Sequence, residues 1–210
     1  MFQAPYNNLI VKPKTKYIKH ISDILKRASI ENNSSVDPVE LVNITGEIMS
    51  LPKAIKDDEY HKGYSLDGIK VGDIAIFRYD VIFDLVQVEP ETPPIYRNMI
   101  AYRGEEYFAC DIVKLFGVIR GEEIIMVNGY TMVSDFVVSN IVLPAALKQT
   151  KGSTKSQLLH IGNPVSHGTS INAKQGEYVY FSPLKAQKYE IAGKKFCILQ
   201  QNHILGKSKE

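Results

Sequence analysis

Short apolar runs of strand-forming residues recur along the whole chain. Each run is rich in β-branched or aromatic side chains, and most are bounded by Gly, Asp, Asn or Pro, which favour turns. The runs occupy residues 9–11, 74–77, 107–110, 124–127, 178–181 and 196–199. Many short strands separated by turn residues are typical of a β-barrel or β-sandwich. The pattern therefore predicts an all-β fold.

A helical spacing of apolar residues occurs in one segment near the N-terminus. Ile18, Ile21, Leu25 and Ala28 fall at positions i, i+3, i+7 and i+10. This spacing would place them on one face of a helix. It predicts a short helix over residues 18–30.

Two blocks of sequence occur twice, in the same order. Residues 71–77 and 175–181 each contain Gly, then an acid, then four strand-forming residues that end in Phe, and a Lys precedes both blocks. Residues 104–108 and 193–197 each begin with Gly and two charged residues, followed by an aromatic residue. Gly followed by polar residues favours a tight turn that leads into a strand.

The repeated blocks favour two homologous β units, residues 1–121 and 122–210, in tandem. The first unit would carry extra residues around 84–97, which include three Pro and are therefore expected to form a surface loop. The alternative is one larger β domain in which the similarity arose by chance.

Each unit also contains one long polar stretch, at about residues 14–43 and 128–155. Structureless connections of this length are uncommon in compact domains and are usually functional or disordered. The second stretch is interrupted by one apolar island, Ile141, Val142 and Leu143. An apolar tripeptide on a polar tether is suited to bind a groove on a partner, and the alternative is an ordinary strand.

Composition narrows the classes of partner. The net charge of +2 provides no basic excess to neutralise phosphates, which argues against nucleic-acid binding. Two Cys in 210 residues are too few for a disulfide scaffold. The N-terminus lacks the features of a signal peptide, and no apolar run approaches the ~20 residues that span a bilayer. We therefore predict a soluble, cytoplasmic protein without a membrane partner.

Candidate catalytic motifs are weak. None of the five His shows metal-ligand spacing with Cys or carboxylates; they are His20, His61, His160, His167 and His203. Cys110 and Cys197 lie in predicted strands and are interpreted as small buried hydrophobes. Gly206-Lys207-Ser208 imitates the end of a phosphate-binding loop but lacks the upstream Gly. We predict no enzymatic activity, no metal and no cofactor.

The order of these motifs resembles the GroES co-chaperonin family, present twice. In that family a strand ending in Val-Lys is followed by a mobile loop with a Gly-Gly-Ile-Val-Leu-Pro-like segment. A Gly-Glu-Val strand, a Val-Gly-Asp turn and strand, a Gly-Glu-Glu-Tyr hairpin and a closing strand come next. The first unit matches at residues 9–12, 45–48, 70–77 and 104–107. The second matches at 141–144, 174–181 and 193–205.

The resemblance implies a GroES-like β-barrel in each unit, assembly into a ring, and capping of a GroEL-type chaperonin that itself binds the ATP. The partner-binding residues would be Ile141, Val142 and Leu143, although Ser-Asn replaces Gly-Gly before them. The first unit lacks this tripeptide, and the nearest apolar residues in its polar stretch are Ile21, Ile24 and Leu25.

Two questions remain open at this point. Rings of this family have seven places, which chains with two units each do not fill evenly. Either the ring has another number of units, or one unit of each chain is stacked or peripheral. The alternative function is a structural protein, for example of a bacteriophage particle, that reuses the GroES-like fold.

Overall fold

The computed structural model describes residues 3–14, 44–86, 95–136, 153–163, 172–191 and 193–208. The first nine strands are β1 (Asn8–Pro13), β2 (Thr45–Ser50), β3 (Ile74–Phe77), β4 (Leu85–Val86), β5 (Ile95–Tyr96), β6 (Met99–Tyr102), β7 (Glu105–Asp111), β8 (Leu115–Arg120) and β9 (Glu123–Met126). The next six are β10 (Tyr130–Ser134), β11 (Thr154–Ile161), β12 (Tyr178–Phe181), β13 (Gln187–Ile191), β14 (Lys194–Gln200) and β15 (Ile204–Ser208).

The predicted all-β fold class is confirmed. The helical elements of the described residues are 3-10 helices of three residues each: Tyr79–Val81, Ile112–Lys114, Pro183–Lys185 and Gln201–His203. The helix predicted over residues 18–30 lies outside the described residues. Within the described ranges, no helix is long and apolar enough to cross a membrane.

The chain divides into two compact units, Met1–Ile124 and Ile125–Glu210. The boundary falls inside β9. One sheet has seven strands in the order β6-β7-β1-β2-β3-β8-β9, and another has six in the order β13-β14-β10-β11-β12-β15. A two-stranded sheet, β4-β5, flanks the Pro-rich segment of the first unit.

The two large sheets have the same internal topology. Read along each sheet, β13, β14, β10, β11, β12 and β15 take the places of β6, β7, β1, β2, β3 and β8. The strand registers also shift at equivalent points, which are Ile10/Val11 and Met132/Val133, and then Ile76/Phe77 and Tyr180/Phe181. Equivalent irregularities give the equivalent strands the same local bends, because an extra residue kinks a strand.

The repeated Gly-acid block forms the same turn in each sheet. Gly72 and Gly176 both have φ of 90°, a left-handed conformation that Gly adopts without steric cost. In the first turn, the carboxylate of Asp73 accepts the Lys70 N–H at 2.8 Å. In the second, Glu177 accepts the Lys174 N–H, also at 2.8 Å. The side chain one residue after Gly therefore closes each turn, which explains why an acid occupies this position.

An ion pair joins each of these acids to a neighbouring strand, β8 in the first unit and β15 in the second. Arg120 contacts Asp73 at 2.7 Å, and Lys207 contacts Glu177 at 3.2 Å. The hydrogen bond from Arg120 lowers the pKa of Asp73. The backbone N–H of Lys174, together with Lys207, lowers the pKa of Glu177. Both acids are thus held in the charged form that accepts these bonds.

One expectation about the second polar stretch is wrong. Residues 128–155 do not form a single polar connection, because β10 and the start of β11 lie within that range. Met132 and Val133 are fully buried, and so is Thr131. The backbone of β10 can be buried because its polar groups pair with strands on both sides. The undescribed part of this connection is limited to residues 137–152.

The core of the second unit is centred on Phe181. Its ring meets that of Phe136 edge to face, with centroids 5.3 Å apart. The buried cluster around them contains Val133, Phe136, Leu158, Ala173, Val179, Phe181, Cys197 and Leu199. Burial of Cys197 in this cluster, and of Cys110 in β7, confirms their interpretation as buried residues.

We predict that Phe181→Ala lowers the free energy of unfolding by about 3–5 kcal/mol, because it leaves a cavity in this cluster. Leu184, three residues further on, is 92% exposed, and Leu184→Ala should change the free energy by less than about 0.5 kcal/mol. Urea denaturation followed by circular dichroism measures both. Equal stabilities of the two variants would contradict this account of the core.

Candidate functional site

The residues predicted to bind a partner all lie outside the described residues. Ile141, Val142 and Leu143 fall in residues 137–152, here called the second-unit segment. Ile21, Ile24 and Leu25 fall in residues 15–43, here called the first-unit segment. The structure does describe the strands to which both segments are attached, and these attachment points define the candidate site.

The two ends of the second-unit segment are held side by side. The segment follows β10 and precedes β11, and these strands are antiparallel neighbours with Val133 opposite Leu158 and Met132 opposite His160. An antiparallel pair brings the end of one strand next to the start of the other. The strands before and after the second-unit segment are therefore neighbours in the sheet.

Two serines connect the strands at this place. The hydroxyl oxygens of Ser134 and Ser156 are 2.8 Å apart. The Ser156 hydroxyl also donates to the Ser134 carbonyl at 2.5 Å, and the Ser134 hydroxyl accepts the Gln157 N–H at 3.2 Å. Ser156 is only 4% exposed, so these hydrogen bonds are largely shielded from water. Shielding makes their loss costly.

Phe136 anchors the last described residues before the segment. Its side chain is 6% exposed and belongs to the core cluster. Lys188 on β13 holds the same point from another strand: its ammonium group lies 3.2 Å from the Asp135 carboxylate and donates to the Phe136 carbonyl at 3.2 Å. The ammonium also lies 4.9 Å from the centroid of the Phe136 ring. The burial of Phe136 and the contacts of Lys188 thus fix the last described residues before the second-unit segment.

The first-unit segment is attached in the equivalent way. It follows β1 and precedes β2, which pair with Lys12 opposite Glu47 and Pro13 opposite Gly46. A Cβ atom at Gly46 would lie 2.9 Å from the Lys12 carbonyl oxygen, so glycine permits this close approach. Lys12 is also held from β7 by a 3.0 Å ion pair with Glu105. The strands on either side of this segment are likewise neighbours in the sheet.

Sequence reasoning missed the residues that make these attachments. Phe136, Asp135 and Lys188 were not singled out by the sequence pattern, although two of them lie in the second polar stretch. The available signal was Phe136 itself, a large aromatic residue inside a stretch interpreted as polar. No comparable signal points to Lys188, since its partners are more than 50 residues away.

The described residues offer little for catalysis. They contain no group of three His, Cys, Asp or Glu side chains able to hold a metal ion. Burial raises the pKa of the Cys197 thiol to about 12 and raises that of Cys110 as well. Both thiols are therefore protonated at neutral pH, and a protonated thiol is a poor nucleophile.

One family model matches most of the second unit. Residues 122–208 match the family model of the chaperonin 10 kDa subunit. This family consists of co-chaperonins that are not enzymes. The match supports a GroES-like family for the part of the chain that it covers, and the two sheets are consistent with GroES-like β-barrel units. No curated protein matches the chain.

We predict that Ser134 and Ser156 are energetically coupled. Single Ser→Ala changes and the double change form a cycle that isolates their mutual interaction. The expected coupling is about 0.5–1.5 kcal/mol, the usual net value of a hydrogen bond. Urea denaturation of the four proteins measures it. Strict additivity of the two single changes would show that the serines do not hold the strands together.

Proposed function

We propose that this protein is a co-chaperonin that assembles into a ring and caps a GroEL-type chaperonin, assisting protein folding. The observation that carries the proposal is the chaperonin 10 match over residues 122–208. It coincides with a sheet from which the second-unit segment, with Ile141, Val142 and Leu143, leaves and returns at adjacent strands. The segment is proposed to act as a mobile loop that presents these three side chains to the partner.

The first unit is proposed to be a second, diverged copy of the same barrel, so that the chain is a tandem duplication. Its support is the equivalent strand order, the equivalent register shifts and the equivalent Gly72 and Gly176 turns. The first-unit segment would then occupy the position of a second mobile loop, and Ile21, Ile24 and Leu25 would be its contact residues. Without the Ile-Val-Leu tripeptide, it is expected to contribute less to binding.

A short apolar contact suits a reversible lid. Burial of three aliphatic side chains yields about 5–9 kcal/mol in total, and ordering a disordered segment costs about 2–5 kcal/mol. One loop would therefore bind weakly. A ring that presents several loops together gains avidity, because each binding event raises the effective concentration for the next. Such a lid dissociates when the binding sites on the partner are no longer accessible.

The partner would supply the nucleotide chemistry. Under this proposal, the protein itself binds no ATP, no cofactor and no nucleic acid. It acts in the cytoplasm, where it contacts the chaperonin and other copies of itself. Light scattering coupled to size-exclusion chromatography gives the ring mass and thereby the number of units.

The enlarged first unit favours one alternative, a structural protein of a bacteriophage particle or similar assembly. The Pro-rich segment after β4 is closed by the β4–β5 pair, with Leu85 opposite Tyr96 and Val86 opposite Ile95, and such an insert suits contact with other proteins. Negative-stain images distinguish the two functions. A free dome-shaped ring supports the co-chaperonin, and failure to assemble without other particle proteins supports the alternative.

We predict that Ile141→Asp abolishes capping while the protein stays folded. A charged group in an apolar contact removes a central binding residue, which typically costs about 2 kcal/mol or more per site, or about 30-fold in affinity. Ile24→Asp should weaken capping by a smaller factor. Co-sedimentation with a GroEL-type chaperonin and ATP, and the ATPase rate of the chaperonin, measure both effects.

The matched control is Leu184→Asp, which introduces the same charge at a highly exposed position outside both segments. It should preserve capping, and all three variants should keep the ring mass of the wild-type protein. Capping that survives Ile141→Asp would remove the second-unit segment from the mechanism. An unchanged chaperonin ATPase rate with the wild-type protein would count against the co-chaperonin function as a whole.

A further inference from the structure

His61 lies in the connection between β2 and β3 and is enclosed by polar groups from three parts of the first unit. Its Nδ1 atom is 2.6 Å from the Asp58 carboxylate. Its Nε2 atom is 3.2 Å from both oxygens of Asp111, at the end of β7. The amide nitrogen of Asn7, just before β1, is 3.0 Å from Nδ1. The side chain of His61 is 12% exposed.

The two carboxylates favour the charged form of the ring, whereas the Asn7 amide nitrogen, a donor, favours an unprotonated Nδ1. An ionised carboxylate only accepts hydrogen bonds, and a neutral imidazole has a single N–H. Asp58 and Asp111 face different ring nitrogens, so only the imidazolium, with an N–H on each nitrogen, can donate to both. In that form one proton lies on Nδ1, facing Asp58, and the other lies on Nε2, facing Asp111.

Loss of the proton on Nδ1 has a defined consequence, because the amide nitrogen of Asn7 already lies beside that atom. The Asn7 carbonyl oxygen accepts the Lys56 N–H at 2.5 Å, which orients the Asn7 amide nitrogen toward the ring. A neutral ring that keeps its proton on Nε2 still donates to Asp111 and can accept the Asn7 N–H on Nδ1. The same ring has nothing to donate to Asp58.

We propose that His61 is a proton-operated latch for this connection: the imidazolium binds Asp58 and Asp111 together, and deprotonation releases Asp58 while the contact with Asp111 remains. The part that is released is a small turn. Asp58 also accepts the N–H groups of Tyr60 and His61 at 3.0 and 3.1 Å, so its loss from the ring loosens the backbone around Tyr60. The latch is independent of the proposed function.

The charges around His61 favour its protonated form in the closed state. Burial by itself lowers the pKa of His61, but the hydrogen bonds and charges of Asp58 and Asp111 outweigh it and raise the pKa. The hydrogen bond from His61 lowers the pKa of Asp58. Tyr64 and Cys110 also interact with Asp111; burial raises the pKa of each, and Arg78 opposes the rise.

The raised pKa of His61 determines how the closed state of the latch depends on pH. A histidine whose pKa is higher in the closed state stabilises that state fully below its ordinary pKa, about 6.5. The stabilisation is lost as the pH rises through the raised pKa. The latch is therefore closed in mildly acidic solution and opens toward alkaline pH.

The equivalent position in the second unit has no such charge. Ile112 donates its N–H to the Asn7 carbonyl, and Gln201 donates its N–H to that of Gly129, which makes Gly129 the counterpart of Asn7. The strand pairing places Gln200 where the first unit has Asp111. Among the residues that the structure describes, the latch therefore belongs to the first unit.

Two measurements on the full-length protein test the latch together. NMR titration of the His61 ring gives its pKa, and amide exchange of Tyr60 and His61, expressed as protection relative to the intrinsic rate at each pH, gives the opening equilibrium. We expect His61 to titrate above about 6.5. Protection should fall between mildly acidic and alkaline pH by about tenfold for each unit by which the measured pKa exceeds that of the open state.

Asp58→Asn is the sharpest variant, because its amide oxygen can still accept the two turn N–H groups while the charge is lost. It should return the His61 pKa toward 6.5 and remove the change in protection. His61→Gln should remove that change as well, and the control His203→Gln, in the second unit, should leave it intact. A wild-type His61 that titrates at or below about 6.5 overturns the latch. A pH-dependent protection that persists in Asp58→Asn also overturns it.

Discussion

Antiparallel pairing of neighbouring strands is the constraint on which the rest of this molecule depends. A long segment joins β10 to β11, and another joins β1 to β2, and in each case the joined strands lie side by side. A long insertion between adjacent antiparallel strands disturbs the sheet little, because the entropy cost of closing a loop rises only slowly with its length. The sheet can therefore remain rigid while it carries segments of very different length and sequence.

The attachment points differ in chemistry although their geometry is shared. In the first unit a glycine, Gly46, lets two backbones approach closely. In the second, the equivalent place is held by the hydroxyls of Ser134 and Ser156 and by the core contact of Phe136. The acids that close the Gly72 and Gly176 turns likewise differ by one methylene, yet each binds a backbone N–H and a cation. Equivalent geometry built from different side chains explains why the likeness of the two units is stronger in topology than in sequence.

The sequence pattern predicted the strands that contain continuous apolar runs, but it did not predict the others. All six predicted runs overlap observed strands, because β3, β12 and the middle of β14 are buried on both faces. β13 was missed: only Tyr189 and Ile191 are buried in it, between exposed charged residues. β10 was missed because Thr131 interrupts its apolar pattern, although the strand is central and Thr131 is fully buried. Strand position in a sheet depends on tertiary pairing, which a local pattern does not contain.

The same limit applies with more force to the sites. An apolar tripeptide such as Ile141 to Leu143 is a local feature and can be recognised in sequence, whereas the groups around His61 come from residues 7, 58 and 111 and meet only through the topology of the sheet. The two kinds of site also respond to different conditions. An apolar contact senses the state of the partner that covers it, because its strength depends on buried area. A histidine between two carboxylates senses the proton concentration, because its strength depends on charge. Under the two proposals made above, one unit would bind a partner through an apolar surface while the other adjusts the order of one turn, and the two changes would share no residues.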